Sequence, residues 1–381
     1  MDIFTNDSHD QLRQKVRNFA EKEVRPLARE LDEKEQFSPE LSLRMGQLGL
    51  YGLTIPKKYG GQELDYLSFI IAVEEMARVD SSQAAVLASH NSLGIGPLYE
   101  YGTEAQRLKY LPDLCTGNSL WAFGLTEDNA GSDSKGTVST AISDGDEWVV
   151  NGTKMFISNA STSISAGVTI QVITGEKDGH KELSTIIVEK NNPGYTAEKI
   201  FGKMMWRAID TARLYFKNVR VPKDNLLGGL GHGSKIMLET LDAGRLSIAA
   251  MGLGLARGAF EMAKDYAQHR HQFGKPISKF QAIGFKLADM ATKIELAKNI
   301  LYNACWLKDH KQPFAKEAAM AKLYCSEIAR EVADEALQIH GAYGLMREYD
   351  IERFYRDQRL LQIGEGTSEI LRMVISRHIG V

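Results

Sequence analysis

Eight apolar positions near the C-terminus, Phe280, Ile283, Leu287, Met290, Ile294, Ala297, Leu301 and Ala304, are separated by steps of 3, 4, 3, 4, 3, 4 and 3 residues. A stripe of that spacing lies along one side of a helix and cannot be left in water, so it demands a partner along its whole length. Three further segments offer one. Met237, Leu241, Gly244, Ile248, Met251 and Leu255 precede it, and Cys325, Ile328, Val332, Ala336 and Ile339 follow. Ile370, Leu371 and Val374 begin a last helix. No proline occurs in the final 68 residues. The expectation is a four-helix bundle.

Upstream the pattern changes twice. Leu12, Val16, Phe19 and Val24 recur at roughly helical spacing, Ile70, Val73, Glu74 and Ala77 predict another helix, and Tyr59-Gly60-Gly61 marks a turn between them. Asn91 and Ser92 are candidates to line a pocket. From about residue 121 strands take over. Trp148-Val149-Val150 runs into Asn151-Gly152, read as a hairpin turn, and Val168–Val172, Leu214–Phe216 and Val219–Val221 alternate or are β-rich. The predicted architecture is mainly α with a central antiparallel β-domain: a helical domain over 1–120, a β-domain over 121–228 and a bundle over 229–381.

Composition excludes several classes of function. A chain of 381 residues with 25% charged residues and a net charge of −3 carries no basic block for nucleic acid or a membrane surface. No apolar run reaches the length of a membrane span, so no stable membrane insertion is expected, and Met1–Asp7 lacks the features of a secretory signal. Cys115, Cys305 and Cys325 are odd in number and far apart, which predicts a reduced, cytoplasmic setting and no metal site. No GxGxxG opens a helix after a strand and no Walker sequence occurs, which argues against a Rossmann or P-loop nucleotide site.

Five stretches carry candidate chemistry. Phe123-Gly124-Leu125-Thr126-Glu127-Asp128-Asn129-Ala130-Gly131-Ser132-Asp133 opens from a β-like run into small and polar residues that offer amides and hydroxyls to a heterocycle or phosphate. It also reads as an ordinary turn. Phe156 and Ser158 lie two residues apart in a strand, an aromatic face beside a hydroxyl on which a planar ring could stack and hydrogen-bond, though taken alone they read as a core Phe beside a surface Ser. Arg270–Ile277 connects two helices and could clamp a pyrophosphate through Arg270, or simply complement a helix C-terminus. Gln338–Gly344 ends a helix with glycines, and His340 there reads as structural. Last, Gly364-Glu365-Gly366-Thr367 sets one carboxylate between glycines just ahead of a helix capped by Thr367, with Glu369 in its first turn. Taken alone, that stretch reads as a solvated loop with a surface glutamate.

Together these stretches resemble the acyl-CoA dehydrogenase family, flavoenzymes of fatty-acid and branched-chain oxidation, and within it the short-chain, butyryl-CoA type. The resemblance covers nearly the whole chain: Tyr59-Gly60-Gly61, Thr126–Asp133, Asn151-Gly152-Thr153-Lys154, Arg270 with Phe273-Gly274, Gln281, Tyr355-Arg356-Asp357 and Glu365-Gly366-Thr367. It implies a homotetramer binding FAD between β-domain and bundle, an acyl-CoA substrate, and an electron-transfer flavoprotein as acceptor. It implies that Phe123, Leu125, Thr126 and Ser132 hold the flavin ring, that Phe156 stacks near it and that Ser158 reaches its N5 region. Arg270, Gln272, Phe273 and Gln281, with Gln338, Gly341 and Ala342, match positions that bind the pyrophosphate and adenosine, partly across a subunit interface. Thr367 and Glu369 complete the FAD site, and Ser132, Asp242, Arg245 and Gly366 match contacts to CoA. Glu365 matches the catalytic base. Some members carry that base on a bundle helix, at the position of Gly244 here, which cannot serve.

The chain departs from the family pattern at four places. Gly364 replaces a bulky residue before the base, which suggests a branched or alicyclic acyl group such as a cyclohexane ring. Asp128 replaces a proline, Trp206–Asp210 differs from a glycine- and serine-rich sequence, and Phe156 stands where Trp is common. The competing readings are an oxygen-using acyl-CoA oxidase or nitroalkane-oxidase-like enzyme, and an inert helical scaffold.

Overall fold

The computed structural model describes residues 3–381. Its N-terminal part contains α1 (Asp7–Phe19), α2 (Arg25–Glu33), α3 (Pro39–Gln47), α4 (Tyr66–Ala77), α5 (Ser81–Ser89), α6 (Gly96–Tyr101) and α7 (Glu104–Leu114). Asn6 caps α1 by accepting the amides of Ser8 and His9. The five-residue step from Phe19 to Val24 is too long for one helical face. A π-helical turn over Ala20–Val24 absorbs the extra residue, so both side chains stay buried. α4 packs between α1 and α8 (Gly233–His269) and is buried on every side, Glu74 and Glu75 included. Their carboxylates are met by Arg13, Arg17, Arg78 and Arg257, and the Tyr302 hydroxyl donates to Glu74 at 2.6 Å. A buried carboxylate stays charged at ordinary pH only with such partners.

The central sheet is built from β1 (Leu120–Gly124), β2 (Thr140–Asp144), β3 (Glu147–Ser158), β4 (Ser165–Lys177), β5 (His180–Glu189), β6 (Tyr195–Lys199), β7 (Thr211–Pro222) and β8 (Leu226–Leu227). The strand order is β6-β7-β3-β2-β4-β5-β8, with β1 beside β4. Pairs are antiparallel except β1–β4 and β2–β4, which are parallel. The expected hairpin at Asn151-Gly152 is not there. β3 runs through both residues, and the tight turn joining β2 to β3 is Gly145-Asp146. Asn151-Gly152 is instead a bulge opposite β7, where the register slips between Val150 and Gly152. Gly152 takes φ 143°, and a Cβ there would lie 2.2 Å from Ser139 Oγ. Asn-Gly signals a turn because its backbone is free to adopt unusual angles, and a bulge draws on the same freedom.

The C-terminal part is α8, α9 (Gln281–Asp309), α10 (Ala315–His340), α11 (Ile351–Leu361) and α12 (Ser368–Ile379), with α10 packed on the other four. The predicted seam of α9 buries Met290, Ala297, Leu301 and Ala304. Ile283, Leu287 and Ile294 are half-covered, and Phe280 is the N-cap residue. On its outer side Phe285 and Leu296 stay exposed. The stripe on α10, from Cys325 to Ile339, is wholly buried. Among the described residues no helix is long and apolar enough to cross a membrane.

Candidate active site

After α11 the chain turns through Gln362–Gly366 into α12. The turn is pinned at both ends: the Ser368 amide donates to the Gln362 carbonyl at 3.0 Å, and Thr367 caps α12 by accepting the Ile370 amide. Glu327 on α10 holds it from below, accepting from Gln362 Nε2 at 3.0 Å and from Ser368 Oγ at 2.9 Å. Within it Glu365 adopts φ 53°, a left-handed conformation uncommon for a residue with a side chain. That backbone turns the carboxylate inward against α8. A Cβ built on Gly244 would lie 2.2 Å from Glu365 Oε2. The carboxylate thus occupies the space that a side chain at 244 would need.

Glu365 Oε2 is fully enclosed and accepts no hydrogen bond among the described residues, and its backbone amide likewise finds no acceptor there. Burial raises the carboxyl to about 7, against the pull of Lys322 and Arg245. Arg245, itself buried, is paired with Asp242, whose carboxyl is also raised by burial despite that arginine. Tyr66 of α4 donates to the Ala243 carbonyl at 2.7 Å, and Leu93 approaches Gly244 from the π-helical turn His90–Ile95. Asn91 is engaged elsewhere, accepting the Gly52 amide and donating to the Leu50 and Leu87 carbonyls, and Ser92 donates to the Ala88 carbonyl. The sequence reading missed Lys322. Its signal was available: it falls on the same buried stripe of α10 as Ala318, Ala319 and Cys325, where an ionisable residue is out of place.

The run from Phe123 to Ser132 leaves β1 and crosses the end of β3. The Met155 amide donates to the Thr126 carbonyl at 2.9 Å. Beneath it lies an ion pair between Lys154 and Glu127 at 2.7 Å, both buried, and Lys154 also donates to the Leu125 carbonyl. Burial opposes the charge on Glu127, but Lys154 and the Val138 and Ser139 amides outweigh it and hold the carboxyl below its usual range. Asp128 points outward and pairs with Arg213 at 2.9 Å. On β3, Phe156 takes φ 61° in a second bulge and is 62% exposed. The hydroxyls of Thr126 and Ser158 have no hydrogen-bond partner among the described residues. A flat apolar face with unused hydroxyls beside it suits a planar heterocycle. Trp206 is buried, donating its amide to Asp357 Oδ1 at 2.8 Å, and Asp210 binds the Ser161 amide, so the divergent Trp206–Asp210 segment ties the sheet to α11.

The remaining candidates lie elsewhere. Arg270 ends α8, 26 positions beyond Gly244, which at the rise of an α-helix is about 39 Å along the axis. Its guanidinium lies over the Tyr343 ring at 5.4 Å, which joins it to the Gly341–Leu345 turn after Gln338. Gln272, Phe273, Gln281, Gln338, Gly341 and Ala342 are exposed, Phe273 by 92%. His340 is structural as read, with Nδ1 at 2.7 Å from the Ala336 carbonyl and its ring stacked on Tyr266. The chain therefore brings Glu365, Arg245, Asp242 and Gly366 together, and sets Phe123–Ser132, Phe156 and Ser158 around the end of β3. The Arg270 group sits at the far end of the bundle.

Comparison with known proteins decides what this arrangement belongs to. Residues 6–118, 122–219 and 231–380 match the N-terminal, middle and C-terminal domains of acyl-CoA dehydrogenases in turn. The chain belongs to the acyl-CoA dehydrogenase family. It is 48% identical to a probable acyl-CoA dehydrogenase, YngJ, of Bacillus subtilis, over 97% of both chains. It is 41% identical to the short-chain specific acyl-CoA dehydrogenase of Clostridium acetobutylicum over the full length of both. The butyryl-CoA dehydrogenase structure from Megasphaera elsdenii superposes with a TM-score of 0.96 at 39% identity, covering both chains completely. As an acyl-CoA dehydrogenase the protein is an FAD-dependent oxidoreductase acting on acyl-CoA. The exposed Phe156 face and the unpartnered hydroxyls of Thr126 and Ser158 fit a flavin ring.

Proposed function

We propose that this acyl-CoA dehydrogenase removes hydrogen from Cα and Cβ of a short acyl-CoA, with Glu365 as the base that takes the α-proton. The observation that carries the proposal is the carboxyl itself: its Oε2 is enclosed, it has no hydrogen-bond partner among the described residues, and it is raised to about 7. A base with those properties binds a proton well at working pH and loses little solvation in doing so. The unused amide of Glu365 would donate to the thioester oxygen, where negative charge develops. Bound FAD supplies the acceptor for the β-hydride. Phe123, Leu125, Thr126, Ser132, Phe156 and Ser158 would hold the flavin ring, with Thr367 and Glu369 beside it. Ser132, Asp242, Arg245 and Gly366 would orient the CoA moiety. Orientation by these groups matters because both C–H bonds must be aligned together.

Arg270, Gln272, Phe273, Gln281, Gln338, Gly341 and Ala342 would bind the pyrophosphate and adenosine of a flavin in a neighbouring subunit. The distance of about 39 Å along α8 supports this, since one FAD cannot reach both ends within one chain. The exposed Phe273, Phe285 and Leu296 support a homotetramer. An electron-transfer flavoprotein is the proposed acceptor and the cytoplasm the proposed location, consistent with three free, buried cysteines.

Gly364 bears on the acyl group. The atoms nearest to a Cβ there all belong to Leu360, at 3.6–3.7 Å and in ordinary contact, so a side chain could start at this position and glycine leaves that space open. We propose a branched or alicyclic chain in that space. Anaerobic flavin bleaching with butyryl-, isobutyryl-, 2-methylbutyryl- and cyclohexanecarbonyl-CoA tests this. Gly364→Tyr should leave the fold intact and selectively slow the branched and cyclic substrates. Faster turnover of butyryl-CoA than of all three others by the parent enzyme would sink the substrate proposal alone. Glu365→Gln should lose on the order of 1,000-fold in bleaching rate with FAD retained. Near-normal bleaching in that variant would remove Glu365 as the base.

A further inference from the structure

Lys322 is a fully buried lysine whose ammonium has one hydrogen bond, to the Gly366 carbonyl at 2.7 Å, and no carboxylate within ion-pair distance among the described residues. A buried ammonium without a counter-ion is costly, and Leu or Met would fill that place on α10 at lower cost. If the protein needed only a donor for the Gly366 carbonyl, a neutral amide would do. The charge itself therefore requires an explanation. The Gly366 carbonyl belongs to the residue next to Glu365, in the turn that aims the carboxylate at Gly244.

We propose that Lys322 is a positioning residue for Glu365: its ammonium fixes the turn through the Gly366 carbonyl and, with Arg245, supplies the positive charge against which the buried carboxylate ionises. This rests on Glu365 being the base. The groups that face the carboxylate from the surrounding elements are few. α10 contributes Lys322, with Glu327 further on and occupied by Gln362 and Ser368. α8 contributes Arg245, partly neutralised by Asp242. α4 contributes the Tyr66 hydroxyl, kept neutral because burial raises it far above its usual range. α12 contributes Glu369, which is exposed, and the π-helical turn contributes only Leu93. Of the two cations that act on Glu365, Lys322 and Arg245, Lys322 is thus the one without a carboxylate of its own among the described residues, while Lys308 of α9 lies further off, over the Tyr66 ring. Burial pushes Lys322 down to about 8 and Glu365 up to about 7, while the opposite charge of each works against burial of the other.

Two variants separate the two parts of the role. Lys322→Gln keeps a donor for the Gly366 carbonyl and removes the charge, whereas Lys322→Met removes both. In FAD-loaded, substrate-free protein, the Glu365 carboxyl is titrated by infrared difference spectroscopy against Glu365→Gln. The midpoint should move upward by about one pH unit or more in both variants, and the acid limb of the bleaching rate should move with it. Lys322→Met should also lower the plateau at high pH, because the turn is released. A Glu365 midpoint unchanged in Lys322→Gln overturns the proposal while leaving Glu365 as base. Normal bleaching in Glu365→Gln would overturn the base assignment instead.

Discussion

Replacing Gly244 by alanine should make this enzyme at least as stable and much slower. Position 244 lies inside a 37-residue helix, where alanine is favoured over glycine by about 1 kcal/mol. The new methyl would stand 2.2 Å from Glu365 Oε2, 3.1 Å from its Cδ and 3.2 Å from Leu93 Cδ2. Leu93 needs to yield only slightly. The carboxylate must retreat by about 1.2 Å to regain ordinary contact, and it can, because it is the free end of a flexible side chain. Misplacing a reacting group by about 1 Å costs on the order of 100-fold in rate, or about 2.7 kcal/mol of barrier. Stopped-flow bleaching under anaerobic conditions measures the rate, and thermal melting of the FAD-loaded protein measures stability. A bleaching rate within about threefold of the parent, with the fold intact, would refute the placement of the base against α8.

Other outcomes follow from the same charges. Glu365 is raised to about 7 in the folded chain from an ordinary value near 4.5, so its ionisation opposes folding. Glu365→Gln should therefore raise the melting temperature at pH 8, and the gain should shrink as pH falls through 7 and vanish below about 4.5. A constant gain across that range would mean that the carboxyl does not titrate in the pocket. Glu127→Gln leaves Lys154 buried without its partner and should cost about 3–5 kcal/mol in urea unfolding, with weaker flavin retention. A cost below about 1 kcal/mol would show that the pair is not what holds the 125–139 loop.

The order of helices, sheet and bundle was legible because each part is written in periodicity, and periodicity reports which face a neighbour covers. Even the irregular step from Phe19 to Val24 carried meaning, as a π-helical turn. What local sequence could not report was depth. Glu74 was read as one position of a helix, yet α4 is sealed on all sides, because α1 and α8 cover the face that would otherwise meet water. Glu365 looked like a surface residue beside two glycines, since nothing within the loop says that α8 approaches it closely enough to exclude water. Lys322 is the intermediate case: its place on the apolar stripe of α10 was legible, but not the Gly366 carbonyl that the turn before α12 sets against it. Asn151-Gly152 misled in another way. The dipeptide states that the backbone is unusual, and only the pairing of β3 with β7 decides between turn and bulge.

The contact between Glu365 and Gly244 also constrains how a lineage could alter this site. A glutamate introduced at 244 would arrive in space already filled by a carboxylate, with a second negative charge to be accommodated there. With Glu365 as the proposed base, its loss on its own would leave the pocket without one. Moving the base from the loop to the helix therefore takes two changes, and each single change passes through an impaired enzyme. A lineage that sets out with the base at one position is held there by sterics, whichever position serves its substrate better.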